Sequence, residues 1–386
     1  MENDFQGISI YFRQMRLCFI AEGLSIHTKR WVEYFARTGH EVHLISAQFS
    51  SDYQQYENTI KTYQLARFLP RFWKVSRFFN GVVWIYQVRK LVNKINPDIL
   101  DCHYITIDGY LGVISGFHPL VLTAWGSDVL IVPKKNILHR LMTNISLKRA
   151  DLIISLSLTM TEDLIKLGAC KNRIHEILIG VDTANFKPLV NTNNIRRDIG
   201  ISDLTPIIIS TRNFEPVYDI ETLIKAVALV LKNIRIKCII IGEGSQKDSL
   251  HKLAESLGIR NDIIFLGRFP HDEIPKYLAI SDIYVSTSLS DGASNSLMEA
   301  MATGLAPIVS DIPANRAFIK DGNNGFLFPV KNFEILAKRL ENLIENKEMR
   351  DKFGHLNRDI ILEKADHNKE MQKVAALYKK LGEKTT

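Results

Sequence analysis

Residues 288–310 read SLSDGASNSLMEAMATGLAPIVS. A run of small residues, Gly292 to Ser296, lies between two carboxylates, Asp291 and Glu299, and passes directly into the helical sequence LMEAMA. A helix packed only into a core has no use for that polar opening, and a surface loop has none for LMEAMA. The combination describes a strand-to-helix turn whose backbone comes close to something anionic. The free N–H groups and the dipole of the helix start are the attractive partner.

Outward from this stretch the same unit recurs. PIIIST, IKCIIIG, DIIFLG, DIYVSTS and APIVS read as strands, with DIETLIKAVALVL and SQKDSLHKLAESLG as helices between them. The first half alternates in the same way: LCFIAE, HEVHLISA, DILDCHY, PLVLTAW and ADLIISLS are strands, and HTKRWVEYFARTG is a helix with Trp31, Tyr34 and Phe35 at helical spacing. Alternation of this kind implies parallel sheets with helices on both faces. The rhythm fails at GVDTANFKPLVNTNNIRRD, residues 180–198, which reads as an interdomain connection. The expected class is therefore α/β, with two Rossmann-like doubly wound domains facing a cleft. The expected bounds are an extension over 1–14, domains over 15–185 and 186–365, and a C-terminal helix, 366–386, packing back on the first domain. Ligands of such sheets lie beyond the carboxyl ends of the strands.

A chain of 386 residues, 46% hydrophobic and 24% charged, is long enough for two cores. It has no apolar run of the roughly 18 residues needed to span a bilayer, and its first residues lack the apolar centre of a secretory signal. Cys18, Cys102, Cys170 and Cys238 show no metal-ligand spacing and sit in or beside apolar segments, so four buried free thiols and a cytoplasmic address are expected. The net charge of +7 is concentrated: between Tyr56 and Ile95 stand Lys61, Arg67, Arg71, Lys74, Arg77, Arg89, Lys90 and Lys94 against Glu57 alone. Aromatics, among them Phe72, Trp73, Phe78, Trp84 and Tyr86, are interleaved with these bases. Residues 67–94 either sit on an anionic membrane surface or turn the aromatics inward and leave the bases as a solvated rim. The membrane is the partner expected, and nucleic acid is not.

Three loops of the second half follow strand ends on one side of a parallel sheet. Arg212, directly after PIIIST, offers a fork of donors for phosphate oxygens, unless it merely pairs with Glu215. Gly242 and Gly244 form a Gly-x-Gly turn opening a helix, a weak signal that is equally a tight turn. Ser294, Asn295 and Ser296 start the helix that carries Glu299, where a diphosphate is favoured and the carboxylate would accept from ribose hydroxyls. Asp291, ahead of the helix, would face the substrate. No Asp-x-Asp pair occurs in the chain, so neither a metal nor a cofactor is expected.

Taken in order, ADLIISLS, GVDTANFKP, IIIGEGSQKDSLHKLAESLGI, IIFLGRF, ISDIYVSTS, SLMEAMATGLAPIVSD and GNNGFLFPV resemble the landmarks of the retaining glycosyltransferases of family 4, which have the two-Rossmann GT-B fold. The resemblance covers nearly the whole chain after residue 15. It implies that Glu299, the second acid of a pair separated by seven residues, holds the donor ribose, and that Asp291 stands where a glutamate contacts the transferred sugar. It matches Arg212 to the diphosphate-binding arginine, and Leu266 and Gly267 to the segment framing the nucleobase. The usual lysine six residues after the arginine is here Tyr218. A glycine pair after the first strand is here Glu22-Gly23, which leaves Gly23 as the donor-binding glycine. A histidine after LTA is replaced by Trp125, so His103, Ser127 and Asp128 either contact sugar hydroxyls or serve as core and capping groups.

The activity implied is retaining transfer of a sugar, from a UDP- or GDP-sugar, to a lipid-linked or polysaccharide acceptor, by a cytoplasmic protein peripheral on the inner face of the membrane. A GT-B sugar-nucleotide epimerase and a non-catalytic nucleotide-sugar-binding partner are the alternatives. A dehydrogenase is disfavoured because AEGLSIH lacks the Gly-x-Gly-x-x-Gly turn.

Overall fold

The computed structural model describes residues 14–49, 53, 59–66, 73–156, 158–189, 193–202, 204–291 and 294–383, with backbone alone at 73–79, 158, 159, 193 and 194. The extension before residue 14, Arg67, Arg71, Gly292 and Ala293 lie outside these. The chain divides into two compact units, Met1–Leu178 together with Met371–Thr386, and Ile179–Glu370.

The first unit carries β1 (Arg16–Ile20), β2 (Glu41–Ser46), β3 (Ile60–Gln64), β4 (Ile99–His103), β5 (Leu120–Thr123), β6 (Leu152–Ser155) and β7 (Ile174–Glu176). They form one parallel sheet in the order β3-β2-β1-β4-β5-β6-β7. The order reverses between β1 and β4, the switch point where doubly wound sheets open a crevice. Runs such as Leu17 to Ile20 are buried on both faces, as a parallel sheet covered by helices requires. Edge strands β3 and β7 lack that continuous apolar run. IKTYQ alternates and IHE is short, so neither stood out in the sequence.

The helix Ile26–Arg37 buries Trp31, Tyr34 and Phe35 against one sheet face, as its spacing predicts. The final helix, His367–Gly382, adds Met371, Val374, Ala375 and Tyr378 to the same core. Its Tyr378 ring stacks on Phe35 with centroids 5.2 Å apart, and its hydroxyl donates to the fully buried Asp101 at the core of β4.

The second unit carries β8 (Ile207–Ser210), β9 (Lys237–Ile241), β10 (Ile263–Gly267), β11 (Ile283–Ser286), β12 (Ala306–Ser310) and β13 (Phe326–Phe328). They too are all parallel, in the order β10-β9-β8-β11-β12-β13. The chain order thus repeats the first unit's, with the reversal between β8 and β11.

Cys18, Cys102 and Cys238 are buried, and burial pushes the Cys238 thiol up to about 12. Cys170 departs from expectation. It is exposed, because it sits in the turn that leads from Gly168 into the short 3-10 helix Lys171–Arg173 rather than in a strand.

Candidate active site

Four neighbouring strands of the second unit, β10, β9, β8 and β11, deliver the expected residues at their carboxyl ends. Arg212 lies two residues beyond β8 and is 8% exposed. Its Nη2 donates to Asp291 Oδ2 at 2.6 Å and its Nη1 to Ser296 Oγ at 2.8 Å, while its guanidinium lies 4.2 Å from the centre of the Tyr218 ring. Tyr284 of β11 donates its hydroxyl to the same Ser296 Oγ at 2.8 Å. Burial works against the charge on Arg212, but Asp291, Tyr284 and Tyr218 hold its pKa above the ordinary value. The alternative pairing of Arg212 with Glu215 does not occur. Glu215 instead accepts from Ser245, at 3.0 Å from the backbone N–H and 2.7 Å from the hydroxyl. Asp291, expected to face substrate, spends one oxygen on the guanidinium.

The helix of the opening stretch runs Asn295–Ala302 and is buried from Ser296 to Ala302. Its N-cap, Ser294, makes no side-chain capping bond. Ser210 Oγ, Thr211 Oγ1, Arg212 Nε, Ser294 Oγ and Asn295 Oδ1 are all enclosed and have no hydrogen-bond partner among the described residues. Unpaired buried polar atoms cost on the order of 1–3 kcal/mol each, so such a group calls for a ligand or water. One turn into the helix, Glu299 is 7% exposed, and its Oε1 lies 2.8 Å from His271 Nε2. His271, which packs on Phe186 with centroids 5.3 Å apart, is a site residue that the sequence did not disclose. It is 28 residues from Glu299, in the loop after β10, and nothing in its spacing marks it.

Leu266 and Gly267 end β10, where a bulge breaks the register with β9 and Gly267 adopts φ +69°. Gly242 and Gly244 serve the packing of the site's backbone. A Cβ on Gly242 would stand 2.5 Å from the Arg212 carbonyl oxygen, and one on Gly244 2.5 Å from that of Phe214. The tight-turn reading of this Gly-x-Gly is the one these contacts satisfy. Gly242→Ala is accordingly expected to destabilise the protein by about 1–3 kcal/mol through backbone displacement and to move Arg212. Gly81→Ala, inside a helix where a Cβ meets nothing within 4 Å, is the control and should stabilise by about 0.5–1 kcal/mol. Denaturant midpoints check both, and equal midpoints would count against the close approach.

In the first unit, Gly23 plays a similar part: its Cβ would lie 2.4 Å from the Gln48 carbonyl, and its N–H donates to Ser46 Oγ at 2.8 Å. Asp128, offered as a sugar contact, is a capping group. Its fully buried carboxylate accepts from the amides of Ile105 at 2.9 Å, Trp125 at 3.0 Å and Gly126 at 2.8 Å, which ties the loops after β4 and β5 together. Burial pushes its pKa up, and the amides hold it back. His103, at the end of β4, is 2% exposed among Phe19, Trp31 and Trp125. Its Nε2 lies 3.3 Å from Asp101 Oδ2 without the alignment of a hydrogen bond, and neither ring nitrogen has a hydrogen-bond partner among the described residues. Ser127 is exposed and donates to the Tyr104 hydroxyl at 3.3 Å. Tyr104 itself is held at φ +83°, a strained conformation for a bulky residue. Trp125, in the place of a histidine, stacks on His27 with centroids 5.1 Å apart.

Of residues 67–94, the structure describes those from Trp73 on. They belong to the helix Trp73–Ile95, in which Trp84 and Leu91 pack on the core, Val88 and Val92 are buried, and Val82 and Tyr86 are 53% and 67% exposed. Some of its apolar side chains therefore turn inward, and others remain on the surface with Arg89 and Lys90. No helix among the described residues is long and apolar enough to cross a membrane.

The sequence model of the glycosyl transferases group 1 matches residues 191–359, the unit that holds Arg212 and Glu299, and that of the glycosyl transferase 4-like domain matches residues 16–157. The chain is similar to the N-acetyl-alpha-D-glucosaminyl L-malate synthase of Bacillus anthracis, 22% identical over 356 residues, covering 89% of this chain and 90% of that protein. It is also similar to the poly(ribitol-phosphate) alpha-N-acetylglucosaminyltransferase of Staphylococcus aureus (strain COL), 27% identical over 207 residues, covering 50% of this chain and 41% of the other. The structure of Anabaena HepE in complex with UDP-glucose superposes with a TM-score of 0.78 at 18% identity, covering 95% of this chain and all of that one. Two all-parallel units in this strand order, two family matches that together span most of the sequence, and full-length structural likeness lead to one conclusion. The chain belongs to the group 1 glycosyltransferases of the GT4 type, and it is a glycosyltransferase of GT-B fold.

Proposed function

We propose that the protein transfers a sugar, with retention of configuration, from a nucleotide-sugar donor to a lipid-linked or polysaccharide acceptor hydroxyl. The observation that carries this reading is the group of enclosed, unpartnered polar atoms around Arg212 and the start of the helix Asn295–Ala302. A diphosphate supplies the acceptors that Arg212 Nε and the helix amides lack, at the end of a helix dipole that favours negative charge. Glu299, held by His271, then stands where ribose hydroxyls donate to it. As the sugar–phosphate bond breaks, its electron pair leaves with the diphosphate, and the charge developing there is met by the guanidinium and the amides. The acceptor hydroxyl attacks C1 on the face the diphosphate leaves, and its proton passes to the departing phosphate oxygen. Asp291 fixes the guanidinium and keeps its second oxygen for a hydroxyl of the transferred sugar. The UDP-glucose bound by the Anabaena structure supports a uridine donor, and the poly(ribitol-phosphate) acceptor of the Staphylococcus relative supports a cell-surface glycan. The address we propose is cytoplasmic, peripheral on the membrane, with residues 67–94 contributing basic groups.

Neutralisation by Arg212 and helix amides needs no metal. Turnover of the preferred donor, chosen from UDP-, GDP- and ADP-sugars by thermal stabilisation, should be the same in excess chelator as in magnesium. A ligand at 100 times its dissociation constant raises stability by about 2.7 kcal/mol, enough to rank donors. Loss of turnover in chelator, restored by magnesium, would overturn the metal-free reading. Donor hydrolysis or rearrangement without transfer to any acceptor would point to the epimerase.

A further inference from the structure

Ile131, Ile137, Leu138 and Leu141 are 56%, 86%, 61% and 55% exposed, and they fall within eleven residues of one another. Single exposed aliphatics are ordinary, but a cluster of this kind marks a surface that meets something apolar. From Val129 to Ala150 the chain has no Asp or Glu, while Lys134, Lys135, Arg140, Lys148 and Arg149 are all exposed. These residues form the short helix Val132–Lys135 and the helix Ile137–Arg149, which fixes itself to the fold by burying Thr143, Ser146 and Leu147. Thr143 Oγ1 lies 2.9 Å from Thr106 Oγ1, and Asp128 ties Ile105 to the loop after β5. The exposed apolar face is therefore joined rigidly to the loops at the carboxyl ends of β4 and β5. Ile107, 40% exposed, lies on the first of these loops.

We infer that this face, Ile131 to Leu141 with its rim of Lys134, Lys135 and Arg140, docks on an anionic lipid bilayer. Aliphatic side chains enter the acyl boundary while a basic rim meets the headgroups, a pairing that neither element achieves alone. A second copy of the chain is the poorer occupant, because an isologous contact would set this acid-free basic rim against itself. The inference rests on the reading of the acceptor as lipid-linked, and it deepens that reading: docking brings the strand ends of the first unit to the plane where a lipid-carried hydroxyl lies.

The test is co-sedimentation of the full chain with vesicles of phosphatidylcholine alone and of phosphatidylcholine with phosphatidylglycerol. Wild-type protein is expected in the pellet with the anionic vesicles only, and to leave it as salt rises. The triple variant I137S/L138S/L141S should lose at least tenfold in partition, and K134E/K135E/R140E should lose its dependence on phosphatidylglycerol, both with unchanged unfolding midpoints since every altered side chain is exposed. A wild type that stays in the supernatant overturns the inference. So does a triple variant that binds like wild type while changes confined to 73–95 abolish binding, or a wild-type dimer in sedimentation equilibrium that the triple variant dissolves. Sugar transfer to a water-soluble acceptor in vesicle-free buffer is read alongside. Its absence from wild type would count against sugar transfer and leave the membrane result standing, and its presence with no vesicle binding would do the reverse.

Discussion

Arg212→Ala should lower the catalytic rate by roughly a hundredfold or more, which corresponds to about 2.7–4 kcal/mol lost from one preorganised donor in an enclosed site. The size of the effect follows from how few groups carry charge there. With Tyr218 in the position of a lysine, the motif has a single guanidinium, and it is held in place from three sides by Asp291, Ser296 and the Tyr218 ring. The donor's affinity should fall less than the rate, because the helix start and Glu299 continue to hold diphosphate and ribose. Separate measurement of kcat and KM reads this split. Arg212→Lys keeps the charge but not the fork, and should fall between the two. Removing the arginine also strands Asp291, whose side chain is 15% exposed, so Arg212→Ala/Asp291→Asn serves as the companion that restores local neutrality. If the double variant recovers full turnover, or if Arg212→Ala never lost it, the leaving group is stabilised elsewhere and the assignment of Arg212 fails.

Tyr378→Ala should destabilise the first unit by about 3–5 kcal/mol, the range for deleting a fully buried aromatic ring. Tyr378 lies four residues from the end of its helix at Gly382, yet it is completely enclosed and stacks on Phe35. Its hydroxyl donates to Asp101, whose carboxylate otherwise accepts only from Thr123, at 3.0 and 3.2 Å, among the described residues. Burial, followed by the charge of Asp101, drives the tyrosine pKa well above its ordinary value, so it remains a donor. Tyr378→Phe keeps the ring and removes the donor, and should cost about 1–3 kcal/mol for the carboxylate left short of a partner. All four tryptophans, Trp31, Trp73, Trp84 and Trp125, belong to the first unit, so their fluorescence during denaturation reports that unit separately from the second. This matters in a chain whose two units need not unfold together. Unchanged fluorescence midpoints in both variants would mean that the terminal helix is a passive appendage.

The architecture was legible in the sequence wherever the chemistry was local. A strand buried on both faces must be continuously apolar, and LCFI, LVLT, LIIS, IIIS and CIII declare themselves for that reason. The helix start at Ser294 to Ser296 declares itself through small residues, and Arg212 through its place at the end of an apolar run. Edge strands β3 and β7 carry no such signal because an edge need not be apolar, and the apolar neighbours of Cys170 suggest burial although a turn carries it to the surface. Local composition is enough for the alternation, hence two parallel sheets, and for the set of residues lying at strand ends. The pairing of those residues emerges only in the folded chain: Arg212 with Asp291 rather than Glu215, Glu299 with His271, Asp128 with three amides, Tyr378 with Asp101. The partners in these four pairings are between 2 and 277 residues apart. A side chain's composition and spacing fix which element it rides on. Which hydrogen bond it finally makes depends on the strand order that brings distant loops to one edge, and no local pattern encodes that order.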